Sequence, residues 1–399
     1  MGKFRKLLKS PKQFVSDSIW FGHECIKGVH KTDNLFVISH LGQLTQIESL
    51  VIQYNLKNNY LIILYTDANI IMPSIVLKNY RKKLFTGASL LRLPPTPNNL
   101  NIIKLQYIKR NYEALLKETQ PNYLYVLSFE KHYSLLSKIA RDNGILLNLV
   151  DEGTATYRSP TCSDKTSYTI RETIIRYLID NIPLFREIRP ALKWHTEYNC
   201  IYAAFPKLLS DAFNAKQFIH FFSHDKNKSD NNRAKNIIDR YRITNKDIIY
   251  VNQRYHLGDS LFVSAILLIL SHILDKYQCK VFIKMHPKDS TNALNEFKSQ
   301  INNKGLNNSI ICIDESDFAI EPVLSMARPK SLFGLTSTSL IYAKMISLET
   351  TAYSIAPLFI DLIKYDVDLN STAYKSILNH LDLLKLFENV ALIEKIEDI

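Results

Sequence analysis

Residues 122–153 read NYLYVLSFEKHYSLLSKIARDNGILLNLVDEG and contain two patterns of secondary structure. Two short, continuous apolar runs, NYLYVLS (122–128) and ILLNLVDEG (145–153), stand on either side of an amphipathic helical pattern. Continuous apolar runs are typical of parallel strands that are buried on both faces, and a helix between them supplies the crossover connection. The stretch therefore predicts a strand, a helix and a second parallel strand, the repeating unit of an α/β protein.

The same alternation continues in both directions along the chain. In the first half, further strands are predicted by the apolar runs NLFVIS (34–39), YLIILYT (60–66), LNIIKL (100–105) and NCIYAAF (199–205). In the second half, strands are predicted by DIIYVNQ (247–253), CKVFIKMHP (279–287), NSIICID (308–314), SLFGLTSTS (331–339) and TTAYSIAP (350–357). Between the halves, HDKNKSDNNRAKN (224–236) is polar and aperiodic, which predicts a surface loop or linker.

Two such halves predict two Rossmann-like domains that face a central cleft. The predicted organisation is a basic tail at residues 1–30, a first Rossmann-like domain at 31–205, a linker region at 206–245, a second Rossmann-like domain at 246–375 and a C-terminal helix at 376–399. In open α/β sheets, ligands bind beyond the carboxyl ends of the strands. The residues that directly follow each strand are therefore the candidates for chemistry.

Composition narrows the class of protein and its partners. The chain has 399 residues, of which 46% are hydrophobic and 22% charged, and this composition is that of a globular protein. Lys and Arg total 50 against 38 acids, a net charge of +12 that predicts anionic partners such as nucleic acid, anionic lipid or an acidic substrate. The 5 cysteines form no CxxC pair, which argues against a disulfide framework and a structural zinc site and favours a reducing compartment.

Two segments bear on membrane association. The longest apolar run, SLFVSAILLILSHIL (260–274), is shorter than the ~20 residues that span a bilayer, so we predict a core helix. The N-terminal sequence MGKFRKLLKSPKQF (1–14) is basic and weakly amphipathic. It has two interpretations: a solvated, frayed tail, or a peripheral anchor to anionic lipid on the cytoplasmic face of a membrane.

Two motifs that follow predicted strands have the residue types of acid–base chemistry. Asp151-Glu152-Gly153 offers a carboxylate as general base and a glycine that allows a sharp turn. Lys284-Met285-His286-Pro287 places a histidine, the side chain suited to proton transfer near neutral pH, beside a lysine that can neutralise a phosphate.

Two further motifs point to a nucleotide. Gly334-Leu335-Thr336-Ser337-Thr338-Ser339 places several hydroxyls at a predicted helix N-terminus, where backbone N–H groups and the helix dipole favour a phosphate. Glu321, before Pro322, is able to accept two hydrogen bonds from a ribose. The pair Asp366 and Asp368 follows a helical pattern instead of a strand, so we predict a solvated loop and no metal there.

Each motif also has an ordinary structural interpretation when it is taken alone. An acid after a strand is a common helix N-cap, a histidine at a turn is often satisfied by backbone groups, and one hydroxyl is enough to cap a helix. An acid in a first helical turn likewise stabilises the helix dipole. The order of the motifs along the chain is more informative than any one of them.

That order resembles the bacterial sialyltransferases that contain a D/E-D/E-G motif, an HP motif and a paired-serine motif. The chain is most similar to the polysialyltransferases of bacterial capsule synthesis, glycosyltransferase family 38, from about residue 31 to the end. NLFVISHLGQL (34–44) also looks like their opening segment. The resemblance implies a GT-B fold and an inverting, metal-independent transfer of sialic acid from CMP-sialic acid to the non-reducing end of a polysialic acid chain, with no cofactor.

The resemblance also implies roles for individual residues. Glu152, or its neighbour Asp151, looks like the general base on the acceptor hydroxyl, and His286 like the general acid or phosphate partner. Because the paired serines read Ser-Thr-Ser here, the roles of the individual hydroxyls stay open. The implied donor-binding residues are Lys284, Pro287, Glu321, which would hold the ribose, Gly334, Ser337, Thr338 and Ser339.

The implied acceptor is a polyanion, so a basic groove is expected for it. Candidates to line the groove are Arg81, Lys82, Lys83, Lys109, Arg110 and Arg158. The implied partners are oligosialic or polysialic acid, CMP-sialic acid and capsule-synthesis proteins at the cytoplasmic face of the bacterial inner membrane, and no nucleic acid. Alternatives are another GT-B transferase of surface polysaccharide, such as a lipooligosaccharide sialyltransferase, or a non-catalytic polyanion-binding protein.

Overall fold

A computed structural model describes residues 31–66, 72–94, 101–158, 170–222, 228–253, 255, 257–286, 289, 291–315 and 318–399. The chain forms two compact units, Met1–Asp225 and Lys226–Ile399, and the division falls inside the segment predicted to link two domains. The predicted basic tail at residues 1–30 lies outside the described residues, as do Cys25 and Cys162. Cys200, Cys279 and Cys312 are free thiols.

The first unit is built on a parallel sheet that has seven strands among the described residues. The strands are β1 (Asn34–Ile38), β2 (Asn59–Tyr65), β3 (Gly87–Arg92), β4 (Tyr123–Val126), β5 (Leu146–Val150), β6 (Glu197–Ala203) and β7 (Asn214–His220). Their order is β3-β2-β1-β4-β5-β6-β7. The helices are α1 (Leu41–Gln53), α2 (Met72–Asn79), α3 (Ile102–Thr119), α4 (His132–Asp142) and α5 (Ile170–Asn181), with short 3₁₀ segments at Lys82–Leu84, Thr154–Tyr157, Pro183–Leu192 and Pro206–Leu209.

The second unit repeats this plan with six parallel strands among the residues described. They are β8 (Ile248–Val251), β9 (Val281–Lys284), β10 (Ile310–Ile313), β11 (Ser331–Gly334), β12 (Thr351–Ser354) and β13 (Val390–Leu392), in the order β10-β9-β8-β11-β12-β13. The helices are α6 (Lys228–Tyr241), α7 (Asp259–Tyr277), α8 (Thr291–Asn303), α9 (Ile320–Ala327), α10 (Thr338–Ile346), α11 (Ala356–Ile363) and α12 (Thr372–Leu384), and a 3₁₀ turn follows at Ile396–Asp398.

The central strands are buried along their whole length, as their continuous apolar sequences predict. Every residue of β1, β2 and β8 is buried. Helix α7 is the one described helix long and apolar enough to cross a membrane. Half of the most apolar part of α7 is buried, and the helix packs against α8 and α11. It is therefore the core helix that the sequence predicts.

Several segments differ from the sequence prediction. LNIIKL (100–105) is not a strand: Asn101 caps α3 by accepting a hydrogen bond from the Lys104 N–H, and the apolar residues continue at helical spacing. The predicted loop over 224–236 is helical from Lys228, because Ala234 and Ile237 of α6 are buried in a helix that packs against α9.

The C-terminal segment is also more than one helix. Helix α12 ends at Leu384, and the short apolar run Val390–Leu392 then pairs with β12 as the edge strand β13. Strands β3 and β7, which the sequence prediction omitted, lie at the two edges of the first sheet.

The strand order places a crevice at one position in each sheet. In the first sheet, the chain winds outward in opposite directions from β1 and β4; in the second sheet, it does so from β8 and β11. The crossover helices on either side of such a switch point diverge, which leaves a crevice at the carboxyl ends of the two strands. The segments that follow these strands contain the predicted motifs.

Candidate functional site

The first polar cluster lies at the carboxyl ends of β1, β4 and β5. Asp151 and Glu152 directly follow β5, and Ser39 and His40 directly follow β1. Gly153 has a φ of 131°, a conformation that disfavours residues with a side chain, so the turn after the two acids requires glycine. The short 3₁₀ segment Thr154–Tyr157 begins at this turn.

Asp151 holds the turn together. It is buried, and its Oδ1 accepts a hydrogen bond from the Gly153 N–H at 2.7 Å. Its Oδ2 accepts hydrogen bonds from the Tyr157 hydroxyl and from the Ala204 N–H that follows β6. Burial raises the pKa of the Asp151 carboxyl, and these hydrogen bonds oppose the rise. Asp151 therefore fixes the ends of β5 and β6 and has little access to a substrate.

Glu152 has different surroundings. Its side chain is 26% exposed, and its Oε1 lies 2.7 Å from Nε2 of His40, which is itself 41% exposed. His40 occupies the N-cap of α1 without capping it, and Gln43 instead accepts hydrogen bonds from the Ser39 N–H and hydroxyl. The His40 imidazole is therefore directed to the carboxylate, and the two side chains form an accessible pair at the carboxyl edge of the sheet.

Two residues of the segment after β4 complete this cluster. The pKa of the buried Tyr133 hydroxyl is raised by burial and, secondarily, by the negative charge of Glu152, so the hydroxyl lies within electrostatic range of that carboxylate. Lys131 has a φ of 54°, an uncommon backbone conformation for a residue with a side chain. Such outliers are frequent at functional sites, where the surrounding structure supports the strain.

The second polar cluster lies at the carboxyl ends of β8, β9 and β11. At Gly334 a Cβ atom would stand 2.9 Å from the Val251 side chain, so glycine lets β11 lie close to β8 here. In the loop that follows, the Thr336 N–H donates to Gln253 Oε1 at 2.5 Å. The Thr336 hydroxyl also lies 2.5 Å from the Tyr255 hydroxyl. Gln253 and Tyr255 thus hold the hydroxyl-rich loop in place.

The hydroxyls of this loop surround the N-terminus of α10. Ser337 is the N-cap, and its side chain accepts from the Ser339 N–H at 3.4 Å. The Ser339 hydroxyl donates to Glu321 Oε1, also at 3.4 Å, so Glu321 and the hydroxyl loop form one cluster. Thr338 begins the helix. An N-terminus lined by hydroxyls and N–H groups suits a phosphate.

His286 follows β9, and its loop is tied to β8. The His286 N–H donates to Asp289 Oδ2 at 2.7 Å, and the Asn252 side-chain amide donates to the same oxygen at 2.9 Å. Lys284 is buried, with its ammonium donating to the Met285 carbonyl at 3.1 Å and lying 4.9 Å from the centre of the Phe318 ring. Pro287 lies outside the described residues.

The His286 side chain lines a cavity of about 480 Å³ within the second unit. Tyr255 lies on the cavity wall, where burial raises its pKa to about 12, and its hydroxyl is 3.2 Å from Nδ1 of His380. The remaining wall residues are Gln253, Ser371, Thr372, Ala373 and Ser376. A cavity of this volume with several polar side chains is of the kind that holds a small molecule.

The predicted acceptor-binding cations are dispersed over the first unit. Arg158 pairs with Glu130, which follows β4, so it belongs to the first cluster. Arg81, Lys82 and Lys83 directly precede β3 and lie at the amino edge of the sheet, opposite Glu152. Lys109 forms ion pairs with Glu113 and Glu187, and Arg110 is exposed on α3. The structure brings only Arg158 of these six to the first cluster.

The segment with Asp366 and Asp368 is an exposed turn, as predicted. Asp368 Oδ1 accepts a hydrogen bond from the Asn370 N–H at 2.9 Å. Among the residues described, no group of three or more His, Cys, Asp and Glu side chains is arranged to hold a metal ion.

Sequence reasoning missed several members of the two clusters. They are His40, Lys131 and Tyr133 in the first, and Asn252, Gln253, Tyr255, Asp289 and His380 in the second. Half of them, His40, Asn252, Gln253 and Tyr255, directly follow a strand, so the rule that located Glu152 and His286 also applies to these four. Their side-chain types occur throughout the chain, and only the contacts, or for Lys131 the backbone conformation, single them out.

A family model described as Alpha-2,8-polysialyltransferase (POLYST) matches residues 34–356. The matched span runs from the first residue of β1 to the first residue of α11 and contains both clusters except His380. No curated protein sequence matches the chain.

Solved structures resemble this one in fold at low sequence identity. UDP-GlcNAc 2-epimerase from Methanocaldococcus jannaschii has 12% identity and a TM-score of 0.50, covering 89% of this chain and 99% of its own. UGT71G1 from Medicago truncatula, solved with UDP-glucose, has 11% identity and a TM-score of 0.49, covering 88% and 90%. The likeness to the epimerase confirms the predicted GT-B fold of two Rossmann-like α/β units.

Proposed function

Because the chain belongs to the alpha-2,8-polysialyltransferase family, we propose that it transfers sialic acid from CMP-sialic acid to the non-reducing end of a polysialic acid chain. Family membership makes the protein a glycosyltransferase with a polysialic acid acceptor and a nucleotide-sugar donor. The proposal adds the identity of the donor, inversion at the sialic acid carbon, metal independence and a place in capsule synthesis beside other capsule-synthesis proteins. The observation that supports it best is the contact between Glu152 and His40.

We propose that the first cluster activates the acceptor. In the tautomer with a proton on Nε2, His40 donates to Glu152 Oε1 and fixes the carboxylate, which leaves Oε2 to accept a proton. When the acceptor hydroxyl attacks the sialic acid carbon, its proton passes to Glu152 as the new glycosidic bond forms. Asp151, which is buried in the hydrogen bonds of the turn, supports the position of Glu152 and does not take part directly.

The second cluster is proposed to stabilise the leaving group. As the bond between the sialic acid carbon and the phosphate oxygen breaks, negative charge builds on the phosphate of CMP. The hydroxyls at the start of α10 and the imidazole of His286 offer hydrogen bonds to this charge, and His286 is suited to supply a proton. Asp289 fixes the backbone of His286 and is a positioning residue.

Donor recognition is proposed to extend to Glu321 and the cavity. Among the described residues, the Glu321 carboxylate accepts a hydrogen bond from Ser339 at 3.4 Å, a weak contact that a ribose hydroxyl can replace. The 480 Å³ cavity beside His286 is proposed to hold the sialic acid, with Tyr255 and His380 among its polar contacts. Lys284 lies under the site and donates to the backbone, so its proposed contribution is a positive potential instead of a direct contact.

Incubation with CMP-sialic acid and a labelled oligosialic acid should lengthen the labelled chain, with activity unchanged in excess EDTA. Hydroxyls and an imidazole supply the stabilisation that a metal ion provides in other transferases. Chain lengths are measured by sizing the labelled product. A parallel reaction with a short neutral lipooligosaccharide acceptor and a nucleic-acid binding assay test the two alternatives. Loss of activity in EDTA that Mg²⁺ or Mn²⁺ restores would contradict metal independence, and transfer only to the neutral acceptor would contradict the polysialic acid assignment.

Salt should weaken binding of the long acceptor more than binding of the donor. A rise from about 0.1 M to about 1 M NaCl shortens the Debye length from about 10 Å to about 3 Å, and a polyanion makes many screened contacts. Initial rates should therefore show a larger increase in KM for long oligosialic acid than for CMP-sialic acid. Arg158→Gln should raise the acceptor KM, whereas Lys83→Gln, at the opposite edge of the sheet, should not. An acceptor KM that does not change with ionic strength would contradict the proposal that a basic groove binds the acceptor.

A further inference from the structure

Helix α5 of the first unit is apolar on two opposite sides. Its inner side holds Ile179, which is fully buried. Its outer side holds Ile170, Ile174 and Tyr177, which are 83%, 54% and 66% exposed. At about 100° per residue, positions spaced by four and then three residues share one face, and Ile179 points away from it. An outward face of a surface helix is normally polar, so these side chains are placed for contact with something else.

A further exposed apolar side chain follows shortly after the helix. Leu184, in the 3₁₀ segment that follows, is 74% exposed. We call Ile170, Ile174, Tyr177 and Leu184 the outer stripe. Four large apolar side chains exposed within fifteen consecutive residues form a patch of the kind that marks an interaction surface, whereas single exposed apolar residues are ordinary.

The charges beside the outer stripe are predominantly positive. All three acids of the segment are engaged: Glu172 has an interaction partner, Asp180 pairs with Arg189 at 3.5 Å, and Glu187 pairs with Lys109 at 2.8 Å. Arg171, Arg186 and Lys193 are exposed, and none of the three forms an ion pair with any other residue in the described part of the chain. This segment of the chain therefore combines exposed apolar side chains with available cations.

We infer that the outer stripe docks the first unit on an anionic lipid bilayer. Isoleucine and leucine side chains enter the boundary of the acyl chains, and the tyrosine takes the interfacial position that aromatic side chains favour. The available cations then meet the lipid phosphates, and each adds to the attraction of the chain to an anionic surface. A second copy of the chain fits less well, because a symmetric contact through this face would bring like charges together.

The test is co-sedimentation of the full chain with vesicles of phosphatidylglycerol and phosphatidylcholine. The triple variant Ile174→Ser, Tyr177→Ser, Leu184→Ser should lose at least about tenfold in affinity for these vesicles, because it loses the apolar contacts. The matched control, Leu348→Ser with Tyr365→Ser, removes equally exposed apolar side chains, 84% and 87%, from the second unit and should bind as the unchanged protein does. Vesicles of phosphatidylcholine alone should bind all proteins weakly.

Two further measurements keep the outcome decisive. Transfer to soluble oligosialic acid and the melting temperature should match the control, since exposed side chains contribute little to the core. Should the triple variant not fold, Arg171→Gln with Arg186→Gln tests the same face through its charges and should also weaken binding. Vesicle binding that survives both variants overturns the inference, as does a dimer of the unchanged protein that the triple variant converts to a monomer.

Discussion

Glu152→Gln should lower the rate of sialic acid transfer by about 10²–10⁴-fold, the usual contribution of a general base. Glutamine keeps the size of the side chain and still accepts a hydrogen bond from His40, but it cannot take a proton from the acceptor hydroxyl. The base acts on the acceptor and is in the first unit, so CMP affinity should remain near that of the unchanged protein. Initial rates and calorimetric titration with CMP on the same preparation give both quantities.

Asp151→Asn is the informative comparison, because the two neighbouring acids differ in surroundings. Asp151 accepts hydrogen bonds from the Gly153 N–H, the Ala204 N–H and the Tyr157 hydroxyl, and an amide replaces one acceptor oxygen with a donor. We expect a lower melting temperature from this buried mismatch, with a reduced rate that follows the loss of folded protein. A folded but inactive Asp151→Asn beside an active Glu152→Gln would assign the base to Asp151.

The sequence predicted the strands of the sheet centres because burial on both faces demands continuous apolar runs. NLFVIS and DIIYVNQ contain β1 and β8, the strands at the two switch points. Edge strands are harder to predict from sequence. Strand β7 is exposed or half-buried along its length, so no continuous apolar run indicates it. The helix α6 was missed for a related reason, since its sequence is strongly polar and its buried residues among those described, Ala234 and Ile237, lie near its middle.

The apolar run LNIIKL shows the opposite error. A short apolar run fits a strand and a buried helix equally, and the Asn101 cap, visible as a hydrogen bond to Lys104, decides for the helix. The last strand, β13, has three residues and exists because β12 offers an unpaired edge, a condition that no local pattern reveals.

The candidate site was predictable in part for a topological reason. Residues that follow parallel strands share one edge of the sheet, so Glu152 and His286 could be located once the strands were known. The division of labour between Asp151 and Glu152 could not, because it depends on contacts with Tyr157 and His40, six and 112 positions away in sequence. The distinction between two adjacent carboxylates is a matter of tertiary environment, which sets burial and hydrogen bonding independently of residue type.

His286→Ala should differ from Glu152→Gln in a diagnostic way, by lowering both the rate and the affinity for CMP. The imidazole is proposed to contact the phosphate, and a hydrogen bond to a charged group contributes about 1.5–3 kcal/mol, which corresponds to a loss of CMP affinity of about tenfold or more. The transfer rate should fall further, by about 10²–10⁴-fold, because the proton for the leaving group is also lost.

The backbone of His286 is held by Asp289 through the N–H group, so removal of the ring leaves the loop supported and the variant should fold. His220→Ala, an exposed histidine at the end of β7, is the matched control and should change neither quantity. CMP titration by calorimetry and initial rates with saturating acceptor separate the two effects. If His286→Ala transfers sialic acid slowly but binds CMP with normal affinity, His286 does not contact the phosphate and acts only in proton transfer. A normal rate would remove His286 from the mechanism, and the hydroxyls at the start of α10 would then have to stabilise the departing phosphate without it.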